Sequence, residues 1–254
     1  MSTRRWRLIS RAAAPFAVTV AALGLGWQAA SVLVHNPAFP PPLPAVRAFV
    51  AAFGHGMAVH LAVSTFRVLA AIGWALLLGV PLGLWLGRKP ALDRLLAPLL
   101  YILYPLPKVA FLPVVIIVMG VGDLPKVFLI GVIVFFQILV SARDAARSIP
   151  RQLVDSVRSL GATEWDIYRH VIVPGALPDI FTSLRISVGT AVSVLFLTET
   201  FVTERGIGYY LIDAWSRLAY PDLFGGIIGM GMLGLVLYVI LDFIETRACP
   251  WKYV

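Results

Sequence analysis

Four ionisable residues stand where almost everything around them is apolar: Arg67, Lys108, Arg185 and Glu199. A charge at membrane depth is costly and is kept where it faces a polar pathway or a charged partner. For Glu199, flanked by Thr198 and Thr200, three readings stand: an ion pair with Arg67 or Lys108, a polar gate lining a pathway, or nearness to the outer interface. If Arg67 and Lys108 face a pathway, they favour anions in it. Arg185 lies within reach of the inner face and can snorkel to it. Bond-making chemistry finds little material. His35, His55, His60 and His170 are scattered, and no H-E-x-x-H, G-x-S-x-G or paired-carboxylate constellation appears. No G-x-x-x-x-G-K-[ST] is present, so the chain has no cradle of its own for ATP phosphates. The G-x-G pairs at Gly24/Gly26, Gly206/Gly208 and Gly229/Gly231 read as helix packing or turns. Cys249 is the single cysteine, which rules out an internal disulfide and a cysteine metal cluster. No cofactor or metal site is expected, and the chain reads as a transporter rather than an enzyme.

The elements that must hold these residues are membrane helices. The 254 residues are 59% hydrophobic and 13% charged, far from the balance of a soluble domain. Residues 1–11 read as a tail carrying Arg4, Arg5, Arg7 and Arg11, and residues 12–34 as a retained first span, too long for the apolar core of a signal peptide. In the loop 35–56 the run Pro40-Pro41-Pro42 forms an extended strut. Pro44 then opens a short helix, with Val46, Phe49, Val50 and Phe53 on one face, that lies on the membrane surface. Five further spans fill a core over residues 57–247: about 57–87, 92–119, 125–140, 176–202 and 224–244. The third span of the six must bend or break at Pro98, Pro105, Pro107 and Pro113. Residues 248–254 form the second tail. Arg and Lys crowd the segments on one side, among them Arg88, Lys89, Arg94, Arg143, Arg147 and Arg151, whereas Arg47, Lys126, Arg205 and Arg217 lie on the other. The bias places both termini in the cytoplasm. It also explains the net charge of +8 without any nucleic-acid partner.

One polar block, about 143–174, breaks the apolar pattern. Leu153, Val157 and Leu160 fall on one side of a short helix that Pro150 opens and Gly161 ends, because glycine takes the left-handed conformation cheaply. Thr163 caps a second short helix with Asp166 three places on, and Trp165, Tyr168 and Ile172 line that helix. Pro174 and Pro178 then break the chain as it re-enters the membrane. A solvated loop needs neither apolar stripe nor the glycine between two capped helices. A helix–turn–helix that docks a cytosolic partner needs both.

Here the sequence resembles a known family. Asp155-Ser156-Val157, three residues, Gly161, nine residues and Val171-Ile172-Val173-Pro174 are similar to the EAA loop of ABC importer permeases, E-A-A, three residues, G, nine residues, I-x-L-P. Ser156 and Val157 depart from the double alanine. The likeness runs from about His60 to Tyr253. "YPLPKVAFLPVVIIVMGVGDLPKVFL", "PGALPDIFTSLR" and "ETFVTERGIGYYL" are similar to the nitrate/taurine/sulfonate branch. The resemblance implies an all-α membrane protein of type I importer fold, with six transmembrane helices and a cytoplasmic coupling helix–turn–helix. It implies a homodimer of permeases, two cytosolic ATPases that bind ATP and Mg, and a periplasmic or lipid-anchored binding protein. The setting is the bacterial inner membrane, and the cargo a small polar, anionic solute. Coupling falls to Asp155, Ser156, Val157, Arg158, Gly161, Ala162, Thr163, Trp165, Tyr168 and Pro174, with Trp165 and Tyr168 as apolar anchors. Arg67, Lys108, Thr198 and Glu199 are the pathway or gate candidates. The rival is an ATP-independent secondary transporter or channel, which leaves the elbow unexplained.

Overall fold

The computed structural model describes residues 3–253. Met1 and Ser2 of the first tail and Val254 of the second lie outside the described residues. No strand occurs among the described residues. The chain divides into two units: Met1–Met57 with Tyr210–Gly229, and Ala58–Tyr209 with Met230–Val254.

In the first unit, α1 (Thr3–Val34) is longer than the expected span. Pro41 is extended, as the strut requires, and α2 (Pro42–Phe53) starts on Pro42, two residues before Pro44. Its inward face is Ala45, Phe49 and Ala52, while Val46, Val50 and Phe53 stay exposed. Phe49 alone of the expected stripe points inward, because the small Ala45 and Ala52 admit the closest approach: the Phe49 backbone comes hard against Gly225. Trp27 and Phe39 both meet the Phe224 ring, at 5.6 and 5.4 Å, and Trp27 Nε1 donates to Pro40 O.

The second unit holds α3 (Met57–Arg88), α4 (Pro90–Leu103), α5 (Leu112–Met119) and α6 (Asp123–Ser148). It continues through α7 (Arg151–Ser159), α8 (Glu164–Ile167) and α9 (Val173–Glu199). Two further helices have residues in both units: α10 (Ile207–Ser216), where the sequence suggested only a turn, and α11 (Tyr220–Ala248). Among the described residues five helices are long and apolar enough to cross a membrane, and α4 with the segment Lys108–Met119, bent by 74°, is a sixth if the bent pair is one span. The bend falls at Pro105 and Pro107, whose missing N–H groups end one helix before the next begins.

A ladder of glycines on α3 brings it onto α6. A Cβ at Gly83 would sit 2.5 Å from Leu139 O, and one at Gly79 3.2 Å from Ile138. Small residues of this kind let membrane helices approach backbone to backbone. α6 in turn packs along α9 through Ile130, Val134, Ile138, Leu184, Val188 and Ala191.

The expected break at Pro174 and Pro178 does not occur. A π-helical turn, Tyr168–Ile172, joins α8 to α9, and Val173 N–H donates to Tyr168 O, one residue further back than in an α-helix. The widened turn gives the Pro174 ring room at the start of α9, where an absent N–H costs least.

Candidate functional site

The elbow is built as its residue types demand. α7 ends on Gly161, whose φ of +86° is the left-handed region. Its N–H donates to Arg158 O, and Ala162 N–H donates to Val157 O. Thr163 then starts α8 with a complete reciprocal box: Asp166 N–H donates to Thr163 Oγ1 at 3.2 Å, and Thr163 N–H to Asp166 Oδ2 at 3.0 Å. The Thr163 hydroxyl also donates to that carboxylate, and these bonds hold the Asp166 pKa below its ordinary value. Arg158 ties the arms together, reaching Glu164 at 2.6 Å and Asp155 at 3.7 Å.

Each arm has an inner and an outer face. Val154, Ile167 and Ile172 are buried, and Val157, Ala162 and Tyr168 pack against the core. Leu153, Leu160 and Trp165 point outward, Leu160 at 86% and Trp165 at 72% exposure. Tyr168, expected as an anchor beside Trp165, instead turns inward: its ring helps close the elbow onto the core, and its hydroxyl is buried without a hydrogen-bond partner. Residues three places apart on an α-helix differ by about 60° in direction, enough to turn Tyr168 inward while Trp165 stays exposed. Ser156 Oγ donates to Gln152 O, and Pro174 opens α9.

A second cluster gathers the membrane-depth charges. Glu199 is wholly buried and accepts from Arg67 Nη1 at 2.6 Å, Ser64 Oγ at 2.8 Å and Gly208 N–H at 2.7 Å. Arg67 Nε and Nη2 both donate to Asp123 Oδ1, and Nη1 donates to the Arg205 carbonyl as well as to Glu199. The loop after α9 is drawn in as well: Ile207 N–H donates to Ser64 Oγ, and Gly206 N–H to His60 Nδ1. Gly206 (φ +125°) and Gly208 are glycines for a steric reason, since a Cβ at either would run into the Glu199 side chain. Lys126, also buried, donates to the carbonyls of Gly122 and Val202. Two guanidinium or ammonium groups and two carboxylates thus neutralise one another and knot α3, α6 and the end of α9 together.

Of the candidates, the structure brings Arg67 and Glu199 together and leaves Lys108 out. Lys108 Nζ donates to Leu103 O and Tyr104 O at the bend and lies over the Phe136 ring. Thr198 is buried, its hydroxyl returned to Leu195 O. Arg185 does not snorkel: it pairs with Glu245 and Asp242 on α11, and Lys252 adds a second cation on Glu245. Sequence reasoning missed Ser64, Asp123 and Glu245. Asp123 carried a signal, an acid at a helix start behind Gly120-Val121-Gly122. No group of three metal-ligating side chains occurs among the described residues.

Residues 79–249 match the family described as the binding-protein-dependent transport system inner membrane component. The chain belongs to this family. This permease is 30% identical over 254 residues to the taurine transport system permease protein TauC of Escherichia coli (strain K12), covering 97% of the chain and 92% of that protein. It is 31% identical to the putative aliphatic sulfonates transport permease protein SsuC of the same organism, over 93% of the chain and 88% of SsuC. It is 24% identical to the nitrate import permease protein NrtB of Synechocystis sp. (strain ATCC 27184 / PCC 6803 / Kazusa), over 77% and 71%. Its fold is that of an inward-facing MetNI methionine ABC transporter, at TM-score 0.63 and 18% identity over 76% of the chain and 95% of the solved one. It is likewise that of a bacterial alginate ABC importer, at 0.57 and 17% over 96% and 99%. The permease is therefore a multi-pass inner-membrane component of an ABC importer, with the all-α type I fold and a place in the nitrate/taurine/sulfonate branch.

Proposed function

We propose that this permease forms the pathway of an ATP-driven importer as a homodimer, with both termini in the cytoplasm and the elbow as its mechanical input. Two cytosolic ATPases, holding ATP and Mg, receive the elbows, and a periplasmic or lipid-anchored binding protein delivers the solute on the other side. The observation that carries this reading is the outward apolar trio Leu153, Leu160 and Trp165 on a braced, capped elbow whose opposite face is sealed into the core. Exposed apolar side chains on a rigid mount fit a protein groove. Gly161 supplies the turn, Thr163 the cap, and Arg158 with Asp155 the brace. Val157, Ala162, Tyr168 and Pro174 fix the elbow to the bundle, so that movement of the ATPases moves α9, while Ser156 stays on the exposed face turned to the partner. Closing and opening of the ATPase pair then shifts the bundle between outward- and inward-open states.

Arg67 and Glu199, with Asp123, act as a latch between helices in this reading rather than as a gate. Lys108 pins the bend at Tyr104, and Thr198, buried with its hydroxyl on Leu195 O, belongs to the packing beside the latch. The solute is small and polar, of the kind named for the relatives: taurine, sulfonates or nitrate. Co-expression with the cognate ATPase and binding protein tests the assignment. ATPase should co-purify with the wild-type permease, fall away with Leu160→Ser/Trp165→Ser, and be required for uptake. Uptake that persists without the ATPase would favour a secondary transporter or channel.

A further inference from the structure

Along α6, Gln137, Ser141, Asp144 and Ser148 follow at spacings that keep them on one face. Along α9, Asp179, Ser183, Ser187 and Thr190 do the same. All but Thr190 line one groove of about 560 Å³ between the two helices. Lipid cannot solvate such a face, so it belongs against water or solute.

The polar groups differ along its length. At one end they satisfy each other: Ser187 Oγ donates to Gln137 Oε1 at 3.1 Å, and Gln137 Nε2 to Thr190 Oγ1 at 3.2 Å. Towards the elbow they do not. Ser183 lines the groove, is nine-tenths buried, and makes no hydrogen bond among the described residues. Asp179 has neither a hydrogen bond nor an ion pair among them. The cation nearest Asp144 is Arg143 Nε at 3.9 Å, and that guanidinium is held by Asp93 at 2.6 Å. No Lys or Arg lines the groove. The arginine and lysine expected to attract anions are committed elsewhere, Arg67 to two carboxylates and Lys108 to backbone carbonyls.

We propose that the groove between α6 and α9 is a solute-contact site in which Asp144 and Asp179 select for a cationic nitrogen and the free Ser183 hydroxyl binds a polar oxygen of the same solute. The permease then adds its own discrimination to that of the binding protein, passing a small ammonium-bearing or zwitterionic solute ahead of a simple anion. Carboxylates in a low-dielectric cleft focus the field and raise the local concentration of cations. This role presumes the importer described above, in which α6 and α9 border the pathway.

The test reads the groove's charge without knowing the cargo. Ser183→Cys is placed in a Cys249→Ser background, assembled with its ATPase, and labelled in membrane fragments open on both sides. The probes are trimethylammonium-ethyl and sulfonatoethyl methanethiosulfonate, which share a reactive group and differ in charge. Their rate ratio, divided by the same ratio for free cysteine, should favour the cation about tenfold or more. Adding Asp144→Asn and Asp179→Asn should bring it near unity. A ratio near or below unity in the first variant, a ratio untouched by the two Asn substitutions, or no labelling by either probe would overturn the proposal. If Ser183→Cys fails to assemble, Ser141→Cys in the same groove carries the measurement. The ratio does not depend on ATP, so its failure is distinct from that of the importer reading, which ATPase-independent uptake would expose.

Discussion

Glu199→Gln keeps the side chain's shape and removes one buried charge. Glu199 takes Arg67 at 2.6 Å, Ser64 at 2.8 Å and the Gly208 amide at 2.7 Å, with none of its surface exposed. A glutamine offers one oxygen to these donors and turns an NH₂ group against the rest. Breaking a buried ion pair from one side costs about 3–5 kcal/mol, because the other charge stays behind unpaired. Arg67 retains Asp123 at 2.6 Å, a carboxylate about half exposed, which puts the loss at the lower end, about 3 kcal/mol. For a chain of this length each kcal/mol moves the midpoint by about 2–4 °C, so Tm should fall by about 6–12 °C. Tryptophan fluorescence during heating of the purified, solubilised permease measures it. Adding Arg67→Met to Glu199→Gln should cost much less than the sum of the two singles, since they share one interaction. A Glu199→Gln midpoint within about 2 °C of wild type, with transport nonetheless lost, would refute the latch and favour a gate.

Gly83→Val should prevent α3 from seating on α6, because its Cβ would meet Leu139 O at 2.5 Å; size-exclusion profiles of the solubilised protein should show aggregation in place of a single species. Thr163→Ala removes the α8 cap, worth about 1 kcal/mol, and should speed hydrogen exchange at the Asp166 amide about fivefold. The Asp166 pKa is held below 3.8 in the folded elbow, so the capping box keeps its full contribution above that value. It loses the contribution as pH falls through the folded value, and Asp166→Asn should abolish this acid dependence in the same exchange experiment. Trp165→Ala should weaken ATPase binding by at least about tenfold, read by titration of labelled ATPase, if the exposed indole is an anchor.

The elbow was legible because its signals are local. Gly161 and the Thr163–Asp166 pair each act within a few residues, and the structure reproduces both the left-handed turn and the box. The bent third span was legible for the same reason, as four prolines leave few alternatives. The direction of Tyr168 was not, because about 60° of helical rotation separates it from Trp165 and only the packing of the elbow on the core decides which of the two turns inward. The expected break at Pro174 failed on the π turn Tyr168–Ile172, which no residue type announces. In the charge cluster, apolar surroundings flagged Arg67 and Glu199, but Ser64 and the Gly206–Gly208 amides looked ordinary, and only the folded chain brings residues 64, 123 and 206 together. The groove carried a signal that went unread. Serines and aspartates at the helical period on α6 and α9 are hidden in sequence by the larger number of aliphatic residues between them.

The central claim is that the elbow passes motion from a separate ATPase into the membrane helices. Gly161→Asp addresses it at one atom: Gly161 has φ +86° and open space around it, so the change strains the turn by about 1–2 kcal/mol and puts a carboxylate beside Leu160 without touching the bundle. Uptake driven by internal ATP should be measured in proteoliposomes holding the permease, its ATPase and its binding protein. The account predicts that uptake stops while the variant still inserts and folds; uptake at the wild-type rate would contradict it.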